Sequence, residues 1–204
     1  MGTRNLTIVY MDGEYRVSQY GQWDGYPDSA GIVALHFLRN EMNEHLFRDR
    51  LSQIKWVNTE KLTQLFYDYG GKEDGTIQMP DADRFFADYP EFSRDTGVDI
   101  LRMIQNGAVK TNTLKNNIDF AADSLWCEWA WIIDLDKRTF EAYEGFNKSP
   151  LKEDDRFYFL RDSEDKKSGF HGVKLVASWT FDNLPTDEDF LAAFTSDDDE
   201  EDSY

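Results

Sequence analysis

Apolar and polar residues alternate at the start of the chain, and this alternation predicts a β-hairpin over residues 5–20. Asp12-Gly13 is typical of the tight turn that joins two such strands. Tyr15 and Val17 lie two positions apart on the returning strand, so we expect them to share one face of the sheet.

Helical spacing of the apolar residues follows the hairpin. A first helix is predicted from Ser29, which would be its N-cap, to Met42. A second helix is predicted from Thr59 and ends at Gly70-Gly71. The inward positions are Ile32, Leu35, Leu38 and Met42 in the first helix, and Leu62, Leu65, Phe66 and Tyr69 in the second.

The pattern then returns to strands after two shorter helices, predicted over residues 81–88 and 95–105. Residues 125–133 are rich in aromatic and β-branched side chains and predict a strand, and residues 139–143 return after a turn. Residues 173–179 predict a further strand. Strands at both ends of the chain with helices between them favour an α+β fold, and we expect an antiparallel sheet.

The remaining segments complete the predicted organisation. Residues 147–170 carry charged runs and are interpreted as a mobile loop, and Thr186 is expected to cap a final amphipathic helix. Residues 1–194 are predicted to form a single α+β domain. Residues 195–204 contain the run DDDEED and are predicted to be a disordered acidic tail, because such a run has nothing to bury.

The formal net charge of −18 narrows the kinds of partner that the protein is expected to bind. Direct binding to nucleic acid is not expected, since phosphate contacts need lysine and arginine. No apolar run is long enough to span a bilayer, and the start of the chain has no secretory signal pattern, so we expect a cytoplasmic protein without membrane contact. Two interpretations of the acidic surface stay open: it provides solubility, or it engages a basic partner protein by imitating nucleic acid.

Familiar catalytic and metal-binding motifs are not found in this sequence. The spacing of His36 and His45 does not suit a metal site, and no metal or cofactor is expected. Cys127 lies among tryptophans, so its thiol is expected to be buried and inert.

The stretch QYGQWDGYP, residues 19–27, is the strongest candidate site. It contains aromatic rings, amides and a carboxylate and lacks aliphatic side chains, a composition that suits a polar ring, sugar or amide ligand. It is also compatible with a simple connection whose aromatic residues cap the core. In the site interpretation Asp24 is the candidate general base, and the candidate ligand-binding residues are Arg4, Gln19, Gln22, Trp23 and Tyr26.

Two family resemblances accompany this stretch. Gly2-Thr3-Arg4, the Asp12-Gly13 turn and the WDGYP motif resemble an uncharacterised family of phages, bacteria and fungi, and residues 123–146 are similar to that family too. The resemblance implies no reaction. A phage origin would favour an inhibitor of host defence.

Gly2-Thr3 also resembles the processing site of N-terminal-nucleophile hydrolases, in which a threonine begins the first strand. That resemblance implies a related fold and Thr3 as a catalytic nucleophile once its amine is freed. The first lysine is Lys55, so the basic residue that such enzymes hold near the nucleophile has no counterpart here.

Two functions from different classes are therefore predicted. The first is binding or hydrolysis of a small polar ligand, such as an amide, a sugar or a nucleotide-like compound, in a pocket around residues 19–27. The second is a protein without catalytic activity that blocks a basic partner protein through its acidic surface. The oligomeric state stays open.

Overall fold

The computed structural model describes residues 2–164 and 167–195. Its main feature is a five-stranded mixed sheet with the strand order β2-β1-β5-β6-β7, and a small parallel sheet pairs β3 with β4. The strands are β1 (Asn5–Met11), β2 (Glu14–Gly21), β3 (Lys55–Trp56), β4 (Thr113–Leu114), β5 (Trp129–Asp134), β6 (Thr139–Glu144) and β7 (Lys174–Thr180). The predicted tail lies outside the described residues, apart from Thr195.

The helices lie mostly between β2 and β5. They are α1 (Ile32–His36), α2 (Glu44–Gln53), α3 (Thr59–Asp68), α4 (Asp81–Asp88), α5 (Ile100–Gln105) and α6 (Asp187–Ala192), and α1 is flanked by π-helical turns at Pro27–Gly31 and Phe37–Glu41. The α+β class is thus confirmed.

The sheet is mixed rather than purely antiparallel, because β1 and β5 run parallel. The chain leaves β2 at Gly21, beside the start of β1 at Asn5. After the helical crossover it re-enters at Trp129, at the same end of the sheet. Two neighbouring strands that begin at the same end must be parallel.

Both faces of the sheet are covered, and each packs its own hydrophobic cluster. Trp131 and Phe140 face the helices with Phe190 of α6, whereas Ile132 and Tyr143 lie on the opposite face. A third cluster, built on Phe66, Phe85 and Phe92, joins α3 to α4. All six residues of β5 are buried because the strand lies in the middle of a sheet covered on both sides.

Tyr15 and Val17 do not share a face, contrary to the alternation prediction. Val17 pairs with Val9, and Tyr15 pairs with Tyr10, so Arg16 is an extra residue on β2. Such a β-bulge places the side chains before and after it on opposite faces. Tyr15 therefore packs on the opposite face of the sheet from Val17.

Some predicted element boundaries are also wrong. Ser29 does not cap the first helix, because the helical turns begin at Pro27, and the hydroxyl of Ser29 donates to Asp28. The strand predicted from Leu125 begins only at Trp129, since the residues before it form a turn in which Trp126 N donates to the carbonyl of Asp123. The helix predicted over residues 95–105 begins only at Ile100, after a short 3-10 turn, and α2 was not predicted. Thr186 caps α6 as expected.

The segment predicted as a mobile loop over residues 147–170 contributes to the core where it is described. Phe157 is fully buried, and Leu151 and Leu160 pack with it against the sheet. Its polar composition is misleading because a few apolar anchors, separated by charged residues, are enough to hold an irregular segment against an apolar face.

Candidate functional site

Residues 19–27 lie where β2 ends and the chain turns towards α1. Gln19 is buried, and its amide donates to the carbonyl of Ser93 at 3.1 Å. The carbonyl oxygen of the Gln22 side chain accepts from the hydroxyl of Tyr20 at 2.7 Å. Both glutamines therefore bond within the protein, although their predicted role in ligand binding is not tested by these contacts.

The backbone of this stretch is held tightly against β1. Gly25 N donates to the carbonyl of Thr3 at 3.1 Å, and the carbonyl of Gly25 accepts from the buried indole of Trp131 at 3.0 Å. A Cβ on Gly25 would lie only 2.7 Å from the Cβ of Asn5. The glycine permits a close approach of two backbones, which is the architectural part of the WDGYP motif.

Three side chains of the motif face solvent above this rigid backbone. Trp23 is 49% exposed and Tyr26 is 51% exposed, and the indole of Trp23 donates to the carboxylate of Asp95 at 2.9 Å. Asp24 is also exposed, with a φ of +52°. Aspartate and asparagine are the residues that tolerate this left-handed conformation best after glycine.

Arg4 lies at the same end of the sheet, and its side chain stacks on Trp126. Its guanidinium lies 4.6 Å from the ring centroid of Trp126, a cation–π geometry. Its backbone N–H donates to the carboxylate of Glu128 at 3.3 Å. In the described part of the chain no hydrogen bond or ion pair joins Arg4 to Asp24.

Thr3 precedes β1, and its side chain is buried. Gly2 precedes Thr3 and is in close contact with Trp23, because a Cβ on Gly2 would lie only 2.2 Å from the ring of Trp23. A role for Thr3 as a nucleophile would need cleavage at this packed junction. That role and the role of Asp24 as a base stay predictions.

Four large aromatic side chains are about half-exposed around this end of the sheet. Trp126 and Phe146 are 46% and 53% exposed and flank β5 and β6, in addition to Trp23 and Tyr26. From β2 to β6 the sheet end spans three strand spacings, about 14 Å. We call this area the sheet-end surface and define it by Arg4, Trp23, Asp24, Tyr26, Trp126 and Phe146.

A cavity of about 430 Å³ lies across one face of the sheet, towards the hairpin turns. It was not predicted from the sequence, because its residues come from both ends of the chain. The lining consists of Tyr10, Gly13, Tyr15, Asp134, Lys137, Glu141, Tyr143, Asp154, Arg156, Phe159 and Leu175. A signal that could have suggested it is the acidic residue inside a predicted strand, Glu141.

A buried ionic network forms the floor of this cavity. Arg156 donates to Asp134 at 2.5 Å and to both carboxylate oxygens of Glu141 at 2.9 Å. Glu141 also accepts from Thr139 at 2.9 Å and from the hydroxyl of Tyr143 at 3.1 Å. The two carboxylates thus outnumber the one guanidinium, and the network carries a formal charge of about −1.

Burial raises the pKa of the Tyr15 hydroxyl, although the positive charge of Arg156 lowers it in part. Burial also raises the pKa of Tyr143, and the negative charge of Glu141 adds to this effect. Both phenols are therefore neutral hydrogen-bond donors at neutral pH. In the core nearby, burial raises the pKa of the Cys127 thiol, as expected for an inert cysteine.

Within residues 2–164 and 167–195, none of the helices combines the length and apolarity needed to cross a bilayer. Comparisons with protein-family models, with curated proteins and with solved structures found no match for this chain.

Proposed function

We propose that the protein binds a positively charged partner protein through the sheet-end surface and thereby blocks the basic surface of that partner. The observation that carries this proposal is the group of half-exposed aromatic side chains above a rigid backbone. Tryptophan, tyrosine and arginine are the residues that most often dominate the energy of protein interfaces.

The charges around these rings support a basic partner. The acidic residues on or beside the surface include Asp24, Asp28, Asp95, Glu128 and Glu144, and the basic ones include Arg4, Arg94 and Lys148. The rest of the chain adds to this field, since its formal net charge is −18. Such a field accelerates association with a cationic partner, and the exposed rings offer their faces to arginine and lysine.

Partner binding suits the geometry better than a closed small-ligand pocket. Trp23 and Tyr26 stand on an open surface, whereas pockets for small molecules enclose most of their ligand. The backbone beneath is already fixed by Gly25, so little ordering entropy is lost on binding. Binding or hydrolysis of a small polar ligand at residues 19–27 stays a prediction.

The experiment uses a fluorescein-labelled arginine-rich peptide as the basic probe and measures its affinity by anisotropy. We expect Trp23→Ala to weaken binding about tenfold or more, because it removes a large exposed aromatic anchor. Asp24→Asn should weaken binding and reduce its dependence on salt, because it removes one exposed negative charge.

Matched controls separate this surface from general attraction to an acidic protein. Trp56→Ala removes a partly exposed tryptophan on β3, and Asp83→Asn removes an exposed carboxylate on α4. Both controls should bind the peptide about as well as the unaltered protein. If Trp56→Ala loses as much affinity as Trp23→Ala, and Asp83→Asn as much as Asp24→Asn, the peptide binds by net charge alone and the proposed surface is wrong.

A further inference from the structure

The two edges of the five-stranded sheet differ in whether other parts of the chain cover them. The edge at β2 is covered, because the carbonyl of Ser18 accepts from the backbone and side-chain N–H groups of Asn117 at 3.2 and 3.0 Å. Just past the end of β2, the backbone N–H of Gln22 donates to the carbonyl of Arg94 at 2.9 Å. Covering an edge in this way prevents another strand from pairing with it.

The edge at β7 is open. Among the described residues β7 pairs only with β6, and no hydrogen bond within that part of the chain reaches the N–H and C=O groups on its outer side. Five of its seven residues are exposed, and Leu175 and Val176 are exposed apolar side chains. A bulge at Val176 interrupts the pairing with β6, and residues 177–180 continue in regular register.

The cavity on the sheet face reaches this open edge, because Leu175 is part of its wall. Its lining contains three carboxylates, on Asp134, Glu141 and Asp154, against the two basic groups of Lys137 and Arg156. Tyrosine rings and the half-exposed ring of Phe159 form the remaining walls. An aromatic lining with an excess of negative charge suits the side chain of lysine or arginine.

We propose that the open edge of β7 binds an extended basic segment of a partner protein as a sixth strand, with a lysine or arginine side chain over Leu175 in the acidic, aromatic cavity. In this mode of recognition, backbone hydrogen bonds supply affinity and a pocket for alternate side chains supplies specificity. A second copy of this chain is a poorer occupant, since each copy carries a formal charge of −18.

This inference does not rest on the sheet-end surface, because β7 lies at the edge of the sheet and its own residues make the contacts. The two proposals share only the positive charge of the partner. Trp23→Ala is therefore expected to leave strand addition at β7 unchanged, which keeps failure of one proposal distinct from failure of the other.

The test uses a synthetic peptide of about eight alternating lysine and valine residues, a typical strand length. Binding should slow amide hydrogen exchange in residues 174–180. A matched peptide, N-methylated at alternate residues, keeps the charges and loses the backbone donors of one edge. We expect it to bind about tenfold more weakly or worse.

The protein variant that tests the edge is Leu175→Lys, because it removes an apolar wall of the cavity and repels a basic strand. It should lose the peptide, whereas Tyr67→Lys, at an exposed position on α3, should retain it. Equal binding of the two peptides, or slowed exchange away from β7, would overturn the proposal. A dimer in sedimentation experiments that disappears in Leu175→Lys would identify a second copy as the occupant and would also overturn it.

Discussion

Replacing Arg156 by methionine should destabilise the protein strongly. The guanidinium makes three hydrogen bonds to Asp134 and Glu141, and its side chain is only 10% exposed. Methionine preserves much of the side-chain volume but leaves two carboxylates in the same buried region without a countercharge. Removing one partner of a buried ion pair costs about 3–5 kcal/mol of the free energy of unfolding.

The hydrogen bonds that remain in Arg156→Met keep the expected loss of unfolding free energy within about 3–5 kcal/mol. Asp134 keeps two backbone donors, at 3.0 and 2.8 Å, and Glu141 keeps Thr139 and Tyr143. These bonds stabilise the carboxylates but supply no positive charge. For a chain of this length, the melting temperature should fall by about 6–20 °C, measured by circular dichroism together with urea unfolding.

Arg84→Met is the matched control, because Arg84 pairs with Asp81 on the surface of α4 and is well exposed. Its loss should cost about 0.3–0.5 kcal/mol, as is usual for such helix pairs. Arg156→Met should also speed hydrogen exchange in residues 147–164, which this contact holds to the sheet. An Arg156→Met protein that melts within about 2 °C of the unaltered chain would refute the role given to the network.

Three further outcomes are expected. Gly25→Ala should destabilise by about 1–3 kcal/mol in urea unfolding, because its Cβ would overlap the side chain of Asn5 and the carbonyl oxygen of Thr3. Unchanged stability would mean that these neighbours move away easily. Trp23→Ala should lower the free energy of unfolding by well under the roughly 3–5 kcal/mol of a core tryptophan; a Trp23→Ala protein that barely folds would assign this residue to the core. Asp24→Asn should cost less than about 0.5 kcal/mol, since asparagine tolerates the same positive φ. Iodoacetamide should modify Cys127 only after unfolding, because burial raises the pKa of its thiol and keeps it protonated; rapid alkylation of the native protein would contradict this.

Most elements whose signals are local could be predicted from the sequence. The turn at Asp12-Gly13 and the helix over residues 81–88 agree with the structure, because turn chemistry and helical spacing act within a few residues. The same local rules failed at Arg16, where a bulge reverses the faces of β2. Such an extra residue is set by how β2 pairs with β1, and alternation alone does not reveal it.

The candidate site was predicted in part. The sequence drew attention to residues 19–27 through their composition, and the structure exposes Trp23 and Tyr26 there. It could not indicate that Arg4 would stack on Trp126, because that contact joins residues more than a hundred positions apart. The ionic network around Arg156 was missed for the same reason, since its segment resembles a solvated loop in composition.

The sequence by itself determined the α+β class, the strong negative charge, the Asp12-Gly13 turn and the cap of α6 at Thr186, because these depend on residue type and short-range spacing. Only the tertiary structure decided that β5 runs parallel to β1, that β2 is covered while β7 is open, and that Arg156 lies between two buried carboxylates. The physical reason is that strand pairing and buried ion pairs join distant parts of the chain, and their partners are selected by the packing of the whole sheet rather than by any local pattern.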